Sequence, residues 1–248
     1  MIYKNPFSLE NKTILVTGAS SGIGKSIAIA CSQMGGTIII TGRNEGRLQE
    51  TMDQLCGSGH LAIPGDLLNA NDRHRIAEFA PALDGVVHCA GIGHTKMMCK
   101  QIEEKDLDTV MGINFNAPVL FQKELQCCKR INKMGSIVFI SSIAATKGVV
   151  ANSVYSASKG ALTSYANCLQ LELAPRQVRV NTVHPAMVWT DLIRKSALGE
   201  EEFQADMEKY PLKRYGNPED VAYLVIYLLS DASQWMTGSH IEITGGYR

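Results

Sequence analysis

Tyr155 and Lys159 are the two residues whose types and spacing most directly suggest chemistry in this chain. They lie four positions apart, so on a helix both side chains would share one face. An ammonium held beside a phenol favours the phenolate, which lowers the tyrosine pKa from its usual value of about 10. Such a pair can exchange a proton with an alcohol or a ketone, and the lysine can also hold ribose hydroxyls. Taken alone, the pair is weak evidence, because a tyrosine and a lysine four positions apart on an exposed helix are usually ordinary surface residues.

A second signal is the glycine-rich run TGASSGIG at residues 17–24. It follows an apolar segment at 13–16 and opens a helical stretch at 23–34, which predicts a strand, a turn and a helix. Such a turn lets the backbone approach a pyrophosphate, whose charge the helix N-terminus favours. The residues of this turn that we expect to contact a dinucleotide are Gly18, Ser20, Ser21, Gly22, Ile23 and Gly24.

Residues 19–26, ASSGIGKS, also fit a relaxed phosphate-binding P-loop, which would indicate a nucleoside-triphosphate enzyme. The strict motif has glycine at position 19, and such enzymes carry a magnesium-binding aspartate after a second apolar strand. Here the apolar pair Val86 and Val87 leads into His88 instead. The triphosphate enzyme is therefore a minor alternative.

The order of these motifs resembles the short-chain dehydrogenase/reductase family, whose members carry T-G-x-x-x-G-x-G near the N-terminus and Y-x-x-x-K past the middle. The resemblance covers nearly the whole chain. It continues in residues 181–190, NTVHPAMVWT, with alanine where the family usually has glycine. At residues 88–91 the chain reads HCAG where the family usually has Asn-Asn-Ala-Gly, so two asparagines are replaced.

The resemblance implies a catalytic set of four residues. Ser142 would orient the substrate carbonyl, Tyr155 would exchange the proton and Lys159 would favour the ionised tyrosine. Asn114 would anchor a water in a proton relay. The implied contacts with a nicotinamide dinucleotide extend beyond the glycine turn to Arg43, Asp66, Leu67, Ala90, Gly91, Tyr155, Lys159, Pro185, Val188 and Thr190.

The end of the predicted second strand bears on cofactor choice. An aspartate here would bind the ribose 2′-hydroxyl of NAD, but Gly42 stands where relatives that prefer NAD carry that acid. Arg43 follows, with a planar donor fork suited to a 2′-phosphate. We therefore expect NADP(H), with NAD as the alternative if Arg43 only begins a solvated loop.

Apolar runs alternate with helical periodicity, which predicts an α/β fold: a single-domain Rossmann, doubly wound parallel sheet of about seven strands flanked by helices, spanning residues 1–248. The expected strand order is 3-2-1-4-5-6-7, with ligands above the carboxyl ends of the strands. A helix at 73–79 should have two turns at most. We expect strands near residues 14–16, 38–41, 61–63, 85–89, 136–141, 179–183 and 240–243.

Substrate identity is open at the level of sequence. Residues 186–215 should form a lid and a pocket wall, to which Met187, Trp189, Leu192, Ile193 and Phe203 would contribute apolar surface, either against substrate or within the lid. His94 and His184 could line the crevice, but they fit a loop or core position better.

Three functions remain open. A generic ketone reductase is favoured, and the chain broadly resembles the 3-oxoacyl-carrier-protein reductases, so an acyl carrier protein is a candidate partner. A sugar or polyol dehydrogenase using NAD(H) and a non-catalytic nucleotide-sensing regulator are the alternatives. An acidic carrier would need a basic landing surface, for which the candidates are Lys129, Arg130, Lys133, Arg176 and Arg179.

Composition favours a cytoplasmic enzyme. Lys plus Arg and Asp plus Glu number 24 each, so the overall charge does not point to nucleic acid or an anionic membrane. The seven scattered cysteines suggest reduced thiols, no segment is long and apolar enough to span a membrane, and no metal is expected. Long helices at 102–130 and 152–173, together with residues 238–246, are expected by family resemblance to form the interfaces of a homotetramer with D2 symmetry.

Overall fold

A computed structural model describes residues 5–93, 96–190, 193 and 199–247. Seven parallel strands form one sheet in the order β3-β2-β1-β4-β5-β6-β7, which confirms the predicted fold class and strand order. The strands are β1 Thr13–Thr17, β2 Thr37–Thr41, β3 Leu61–Ala62, β4 Leu83–His88, β5 Ile131–Ile140, β6 Arg179–Pro185 and β7 His240–Ile243.

Helices cover both faces of the sheet, as expected when every strand is parallel. Ile14 and Val16 of β1 belong to one buried cluster, and Leu15 between them belongs to the other. Successive side chains of a strand point to opposite faces, so β1 feeds two cores. The helices are α1 Gly22–Gln33, α2 Glu45–Met52, α3 Ala70–Phe79, α4 Glu104–Met111, α5 Ala117–Cys127, α6 Ser153–Leu173, α7 Glu200–Met207 and α8 Pro218–Leu229.

Helix α3 corrects one expectation. It has 10 residues, or nearly three turns at about 3.6 residues per turn, where two turns at most were expected. Asn69 caps it by accepting hydrogen bonds from the main-chain N–H groups of Asn71 and Asp72, at 2.8 and 3.2 Å. The cap starts the helix three residues earlier than its apolar pattern suggested.

Strand β5 starts at Ile131, five residues before its predicted start. Its pairing with β4 contains an irregularity, because Leu83 pairs with Ile131 whereas Gly85 pairs with Ser136. Three residues of β5 between these two pairs are exposed or half-buried. They interrupt the apolar run, so the sequence predicted only the later part of the strand.

The predicted helix at 102–130 is helical from Glu104 to Cys127, with a π-helical turn, Gly112–Asn116, between α4 and α5. Pro118 explains this turn. Proline has no N–H to donate to the carbonyl four residues earlier, and its ring clashes with that carbonyl, which belongs to Asn114. None of the described helices is long and apolar enough to cross a membrane.

Candidate functional site

The first two turns of α6 hold the predicted proton-exchange pair at the carboxyl end of β5. Lys159 is buried and its ammonium donates a hydrogen bond to the Ile140 carbonyl at 3.0 Å. The same Nζ lies 5.8 Å from the centroid of the Tyr155 ring. Ser142 lies two residues beyond the end of β5, and its side chain is close enough to the Tyr155 phenol to lower the pKa of that phenol. The structure therefore brings a hydroxyl, a phenol and an ammonium together.

The pKa of Tyr155 shifts in the direction opposite to the expected one. Burial raises this pKa above its ordinary value, and the hydrogen bond with Ser142 offsets only part of the effect. Burial also lowers the pKa of Lys159 to about 8, an effect that nearby Cys89 opposes. The phenol is therefore the stable form of Tyr155 in the protein alone, so the residue holds the proton that a ketone reduction requires.

Asn114 lies in the π-helical turn and joins three elements. Its side-chain oxygen accepts from the Ile92 N–H at 2.8 Å, and its amide donates to the Ile92 carbonyl and to the Ser158 hydroxyl, each at 3.1 Å. A Cβ on Gly91 would lie 3.1 Å from Asn114 Oδ1 and 3.4 Å from Lys159 Nζ. The side-chain oxygen and nitrogen of Asn114 are therefore both hydrogen-bonded within the protein. Its main-chain carbonyl would normally accept from the N–H four residues later, but that residue is Pro118, which has no N–H.

The glycine turn after β1 is a tight backbone cradle. Gly18 has φ +68°, and a Cβ there would lie 2.8 Å from the Ala90 Cα. A Cβ on Gly24 would lie 2.4 Å from the Gly18 carbonyl oxygen, and one on Gly22 would lie 3.2 Å from Thr190 Cγ2. Only glycine fits at these positions, which brings α1 close to the ends of β1 and β4.

The N-terminus of α1 is open to an anion. Ser21 occupies the cap position, but its side chain makes no hydrogen bond to the first turn, and that turn carries no acidic residue. The main-chain N–H groups of a first helical turn lack helical partners, and the helix dipole adds positive potential there. The cradle and this helix end therefore fit the pyrophosphate of a dinucleotide.

Thr17 supports the cradle, a function that the sequence did not reveal. Its hydroxyl accepts hydrogen bonds from the main-chain N–H groups of Cys89 and Ala90, at 3.0 and 3.1 Å. These bonds hold the end of β4 against the end of β1. The threonine stands inside the recognised glycine motif, but its partners lie 72 and 73 residues away, so the motif alone could not assign its function.

The remaining predicted cofactor residues lie along the same edge of the sheet. Ser20 Oγ lies 3.4 Å from the position of a Cβ on Gly42, beside exposed Arg43. Asp66 accepts a hydrogen bond from the Leu68 N–H at 3.0 Å. The others are Ile23 in the first turn of α1, buried Leu67, Pro185 at the end of β6, Val188 bridged to Gly216, and Thr190 beside the glycine turn.

His88 occupies the place of an asparagine that the family usually carries. Its Nε2 lies 2.9 Å from Gln122 Oε1, and its ring stacks on Phe139 with centroids 4.6 Å apart. Burial lowers the pKa of His88 to about 4, so the ring is neutral near pH 7. The departure from the family pattern marked this position, but it did not reveal the pairing with Gln122.

The lid residues pack mainly on one another. Trp189 lies with ring centroids 5.1 Å from Phe203 and 5.0 Å from Tyr215, and Ile193 and Met187 pack against the same cluster. The sequence left open whether these residues contact substrate or pack within the lid, and the structure favours packing within the lid. Leu192 and His94 lie outside the described residues.

The alternative P-loop reading has no support in the geometry. Ser26, which would bind magnesium in a P-loop, lies in α1 and its hydroxyl donates to Glu219 at 3.3 Å. Strand β4 ends at neutral His88, where a magnesium-binding aspartate would be needed. Among the described residues, no group of three or more His, Cys, Asp or Glu could hold a metal ion.

The chain is similar to known proteins over nearly its whole length. Residues 18–248 match the enoyl-(acyl carrier protein) reductase family. The chain is 35% identical to a 3-oxoacyl-[acyl-carrier-protein] reductase FabG of Rickettsia felis, over 96% of this chain and 97% of that protein. It is 33% identical to an L-xylulose reductase of Caenorhabditis elegans, over 97% of each chain.

A solved structure shows the same likeness. The short-chain dehydrogenase/reductase of Brucella melitensis described as glucose/ribitol dehydrogenase superposes with a TM-score of 0.91 at 29% identity. The match covers 98% of this chain and 99% of that one.

Proposed function

Because this chain belongs to the short-chain dehydrogenase/reductase family, we propose that it is an NADP(H)-dependent oxidoreductase that interconverts a ketone and a secondary alcohol. The family establishes an oxidoreductase that acts on CH–OH groups or ketones with a nicotinamide cofactor. The observation that carries the proposal is the contact of Ser142 with a protonated Tyr155, with buried Lys159 beside them.

The proposed mechanism assigns one step to each of these side chains. The cofactor, when bound, supplies the hydride. The Ser142 hydroxyl holds the carbonyl oxygen of the substrate, and Tyr155 gives up its proton as negative charge develops on that oxygen. In the alcohol-to-ketone direction Tyr155 accepts the proton instead.

Lys159 and Asn114 support this transfer. The Lys159 ammonium, close to the phenol, stabilises the phenolate that remains after proton donation, and it holds ribose hydroxyls of the cofactor. The main-chain carbonyl of Asn114, to which Pro118 has no N–H to donate, accepts a water that returns the proton. Its side chain meanwhile fixes the segment after β4.

We assign the cofactor contacts to the carboxyl edge of the sheet. The cradle of Gly18, Gly22 and Gly24 holds the pyrophosphate, Asp66 and Leu67 approach the adenine, and Arg43 holds the 2′-phosphate. Arg43 suits this purpose because it is exposed and has no hydrogen bond or ion pair with the described residues.

Arg43→Ala is expected to weaken NADPH binding by about 10- to 100-fold and to change NADH binding little. A charge-assisted contact to phosphate contributes roughly 1.5–3 kcal/mol, and only NADPH presents a 2′-phosphate. Fluorescence titration with each nucleotide measures both dissociation constants. Lys133→Ala is the control, because Lys133 is an exposed cation at the opposite end of the sheet. Equal losses for the two nucleotides would mean that Arg43 only supports its loop.

The acyl carrier protein is a second candidate partner, suggested by the name of the Rickettsia relative. Three of the five basic residues proposed for its landing surface are already engaged. Arg130 donates to the Ala77 carbonyl at 3.0 Å, Arg176 to Gln126 at 3.3 Å, and Arg179 to Ser233 at 2.9 Å.

These residues also surround the amino ends of β5 and β6, whereas Ser142 follows the carboxyl end of β5. A carrier bound there would be separated from the crevice of the same chain by the length of the sheet. It could serve a crevice only across an interface between two copies. We therefore place a free ketone substrate ahead of a carrier-linked one.

A panel of ketones, sugars and 3-oxoacyl thioesters, tested with NADPH and NADH, tests the proposed function. We expect oxidation of NADPH by at least one ketone. Turnover of sugars or polyols with NAD(H) alone would favour the activities for which the L-xylulose reductase and the glucose/ribitol dehydrogenase are named. NADPH binding without turnover across the panel would indicate a nucleotide-sensing regulator.

We propose a homotetramer with D2 symmetry. The described helices α4, α5 and α6 expose the side chains of Leu107, Leu120 and Leu171, the last to 68%. On another side, Trp235 before β7 is fully exposed and Tyr223 on α8 is exposed to 63%. Two apolar surfaces can each pair with their own copy around a two-fold axis, and two such interfaces close a tetramer.

Light scattering at micromolar concentration is expected to give about four times the monomer mass of 27.0 kDa. Leu171→Lys should reduce the assembly, because it places a charge on the α6 surface. A monomeric mass for the unaltered chain would overturn the proposed assembly, and a dimer would leave one interface.

We also propose a cytoplasmic location, which the seven free cysteines support.

A further inference from the structure

A groove borders the outer side of the glycine turn and is shared by helices α1 and α2. Its lining includes Ser20 and Ser21 of the turn, Lys25 of α1 and Arg47 of α2. Gly22, which belongs to the cradle proposed for the pyrophosphate, lines the same groove. The side chain of Arg47 therefore reaches the cofactor edge of the sheet from a second helix.

Helix α2 is fixed against the glycine turn by contacts that do not use the Arg47 side chain. The Thr51 hydroxyl is fully buried and donates a hydrogen bond to the Ala19 carbonyl at 2.9 Å. Asn44 caps the helix, and its side chain accepts from the main-chain N–H of Arg47 at 2.8 Å. Leu48, the next residue, is fully buried. The main chain of Arg47 is therefore held in place next to the turn.

Ser20 connects this groove to the end of β2, where the 2′-phosphate is assigned. A Cβ on Gly42 would lie 3.4 Å from Ser20 Oγ and 3.5 Å from Leu48 Cδ2. The strand end, the glycine turn and the start of α2 thus meet at one place. Arg43 follows Gly42 just before α2, and Arg47 stands in the first turn of that helix. Both arginines therefore adjoin the position proposed for the 2′-phosphate.

The helix itself gives no reason for a cation at Arg47. A helix dipole favours anions in the first turn and opposes a positive charge there. Among the described residues, the Arg47 guanidinium has no hydrogen bond or ion pair. A phosphate monoester carries a charge of about −1.5 to −2 at pH 7, so one guanidinium leaves part of that charge unbalanced. A 2′-phosphate would give Arg47 a counter-charge, and Arg47 would complete the balance that Arg43 begins.

The remaining charges of the groove do not select an anion. The two cations, Lys25 and Arg47, are matched in number by Glu50 and Glu219. Glu219 stands in the first turn of α8 and accepts a hydrogen bond from Ser26 at 3.3 Å. Glu50 lies about one turn further along α2 than Arg47, away from the end of β2. Preference for a phosphate must therefore come from the position of Arg47 at the start of α2, since the net charge of the groove does not provide it.

We propose that Arg47 is a second contact for the 2′-phosphate and sets the preference for NADP(H) together with Arg43. This inference rests on the proposed function, because it uses the same cofactor site. Its test measures the binding of NADPH and NADH without a substrate, so it does not depend on knowing which ketone the protein reduces.

Fluorescence titration of the full chain with each nucleotide gives the two dissociation constants. Arg47→Ala should weaken NADPH binding by roughly 5- to 20-fold and NADH binding by less than about 2-fold, because the lost charge-assisted hydrogen bond requires the 2′-phosphate. Arg47→Lys keeps the charge without the planar fork, so its loss of NADPH affinity should be smaller. With both arginines replaced by alanine, NADPH and NADH should bind within about 3-fold of each other.

Lys25→Ala is the matched control, because Lys25 lines the same groove but lies beyond the first turn of α1, away from α2's start. It should change either dissociation constant by less than about 2-fold, as expected for a screened charge without direct contact. A loss of NADPH affinity in Lys25→Ala as large as in Arg47→Ala would show a general effect of charge and overturn the proposal. Equal losses for NADPH and NADH in Arg47→Ala would overturn it too.

The outcomes distinguish this inference from the proposed function. If Arg43→Ala selectively weakens NADPH and Arg47→Ala does not, the contact of Arg47 is wrong and the cofactor assignment stands. If the unaltered chain binds NADH as tightly as NADPH, both are wrong. A selective loss of NADPH in Arg47→Ala, in a protein that turns over no ketone, would support the Arg47 contact and contradict only the proposed reaction.

Discussion

Tyr155→Phe is expected to lower kcat by at least ~100-fold while NADPH still binds, because the substitution removes the phenolic hydroxyl that carries the exchangeable proton and keeps the ring. The phenylalanine ring can keep the position beside Lys159 Nζ, which lies 5.8 Å from the ring centroid in the native protein. The Ser142 hydroxyl would lose its partner but could still hold the substrate carbonyl. Steady-state kinetics with a ketone and NADPH, combined with a fluorescence titration of NADPH, separates turnover from binding.

Tyr165→Phe is the matched control, since Tyr165 lies on the same helix α6 and packs edge-on against Phe139. It should retain kcat within a few-fold. Near-normal turnover in Tyr155→Phe would show that another group supplies the proton. A large loss in both variants would show that α6 tolerates no change, and the catalytic assignment would then need a different test.

The fold could be predicted from sequence because its signals are local and repeated. Each apolar run that became one of the strands β1 to β6 is followed by a helical pattern, and parallel strands linked in this way leave few topologies. The glycine turn could also be predicted, since the strand, the turn and the helix follow one another directly in the sequence. The extra turn of α3 was missed because the cap at Asn69, and not the apolar pattern, sets its start.

The site was predicted as a set of residues but not in its electrostatics. Spacing placed Tyr155 beside Lys159, but the sign of the tyrosine pKa shift depends on how much water the fold excludes, and burial outweighs the lowering effect of Ser142. The hydrogen-bond partners of His88 and of His184 could not be predicted from the sequence either. Gln122 follows His88 by 34 residues. Buried His184 shares the Thr182 hydroxyl with His240, which follows Thr182 by 58 residues, and no local pattern joins such pairs.

Gly24→Ala is expected to disrupt the cofactor cradle and the fold around it. The added Cβ would lie 2.4 Å from the Gly18 carbonyl oxygen and 2.8 Å from its carbonyl carbon, and both are main-chain atoms that cannot rotate away. Forcing α1 away from the turn should lower the free energy of unfolding by roughly 1–3 kcal/mol. It should also weaken NADPH binding by about 10-fold or more, because the first-turn N–H groups of α1 would move with the helix.

Gly148→Ala separates this clash from a general intolerance of substituted glycines. A Cβ at Gly148 would meet no heavy atom within 4 Å, and the residue does not have the positive φ that favours glycine. Urea unfolding of the control should therefore stay within about 0.5 kcal/mol of the unaltered protein, with unchanged NADPH affinity. If Gly24→Ala matched this control in both measurements, α1 would not need its close approach to Gly18, and the pyrophosphate would have to be held elsewhere along the sheet edge.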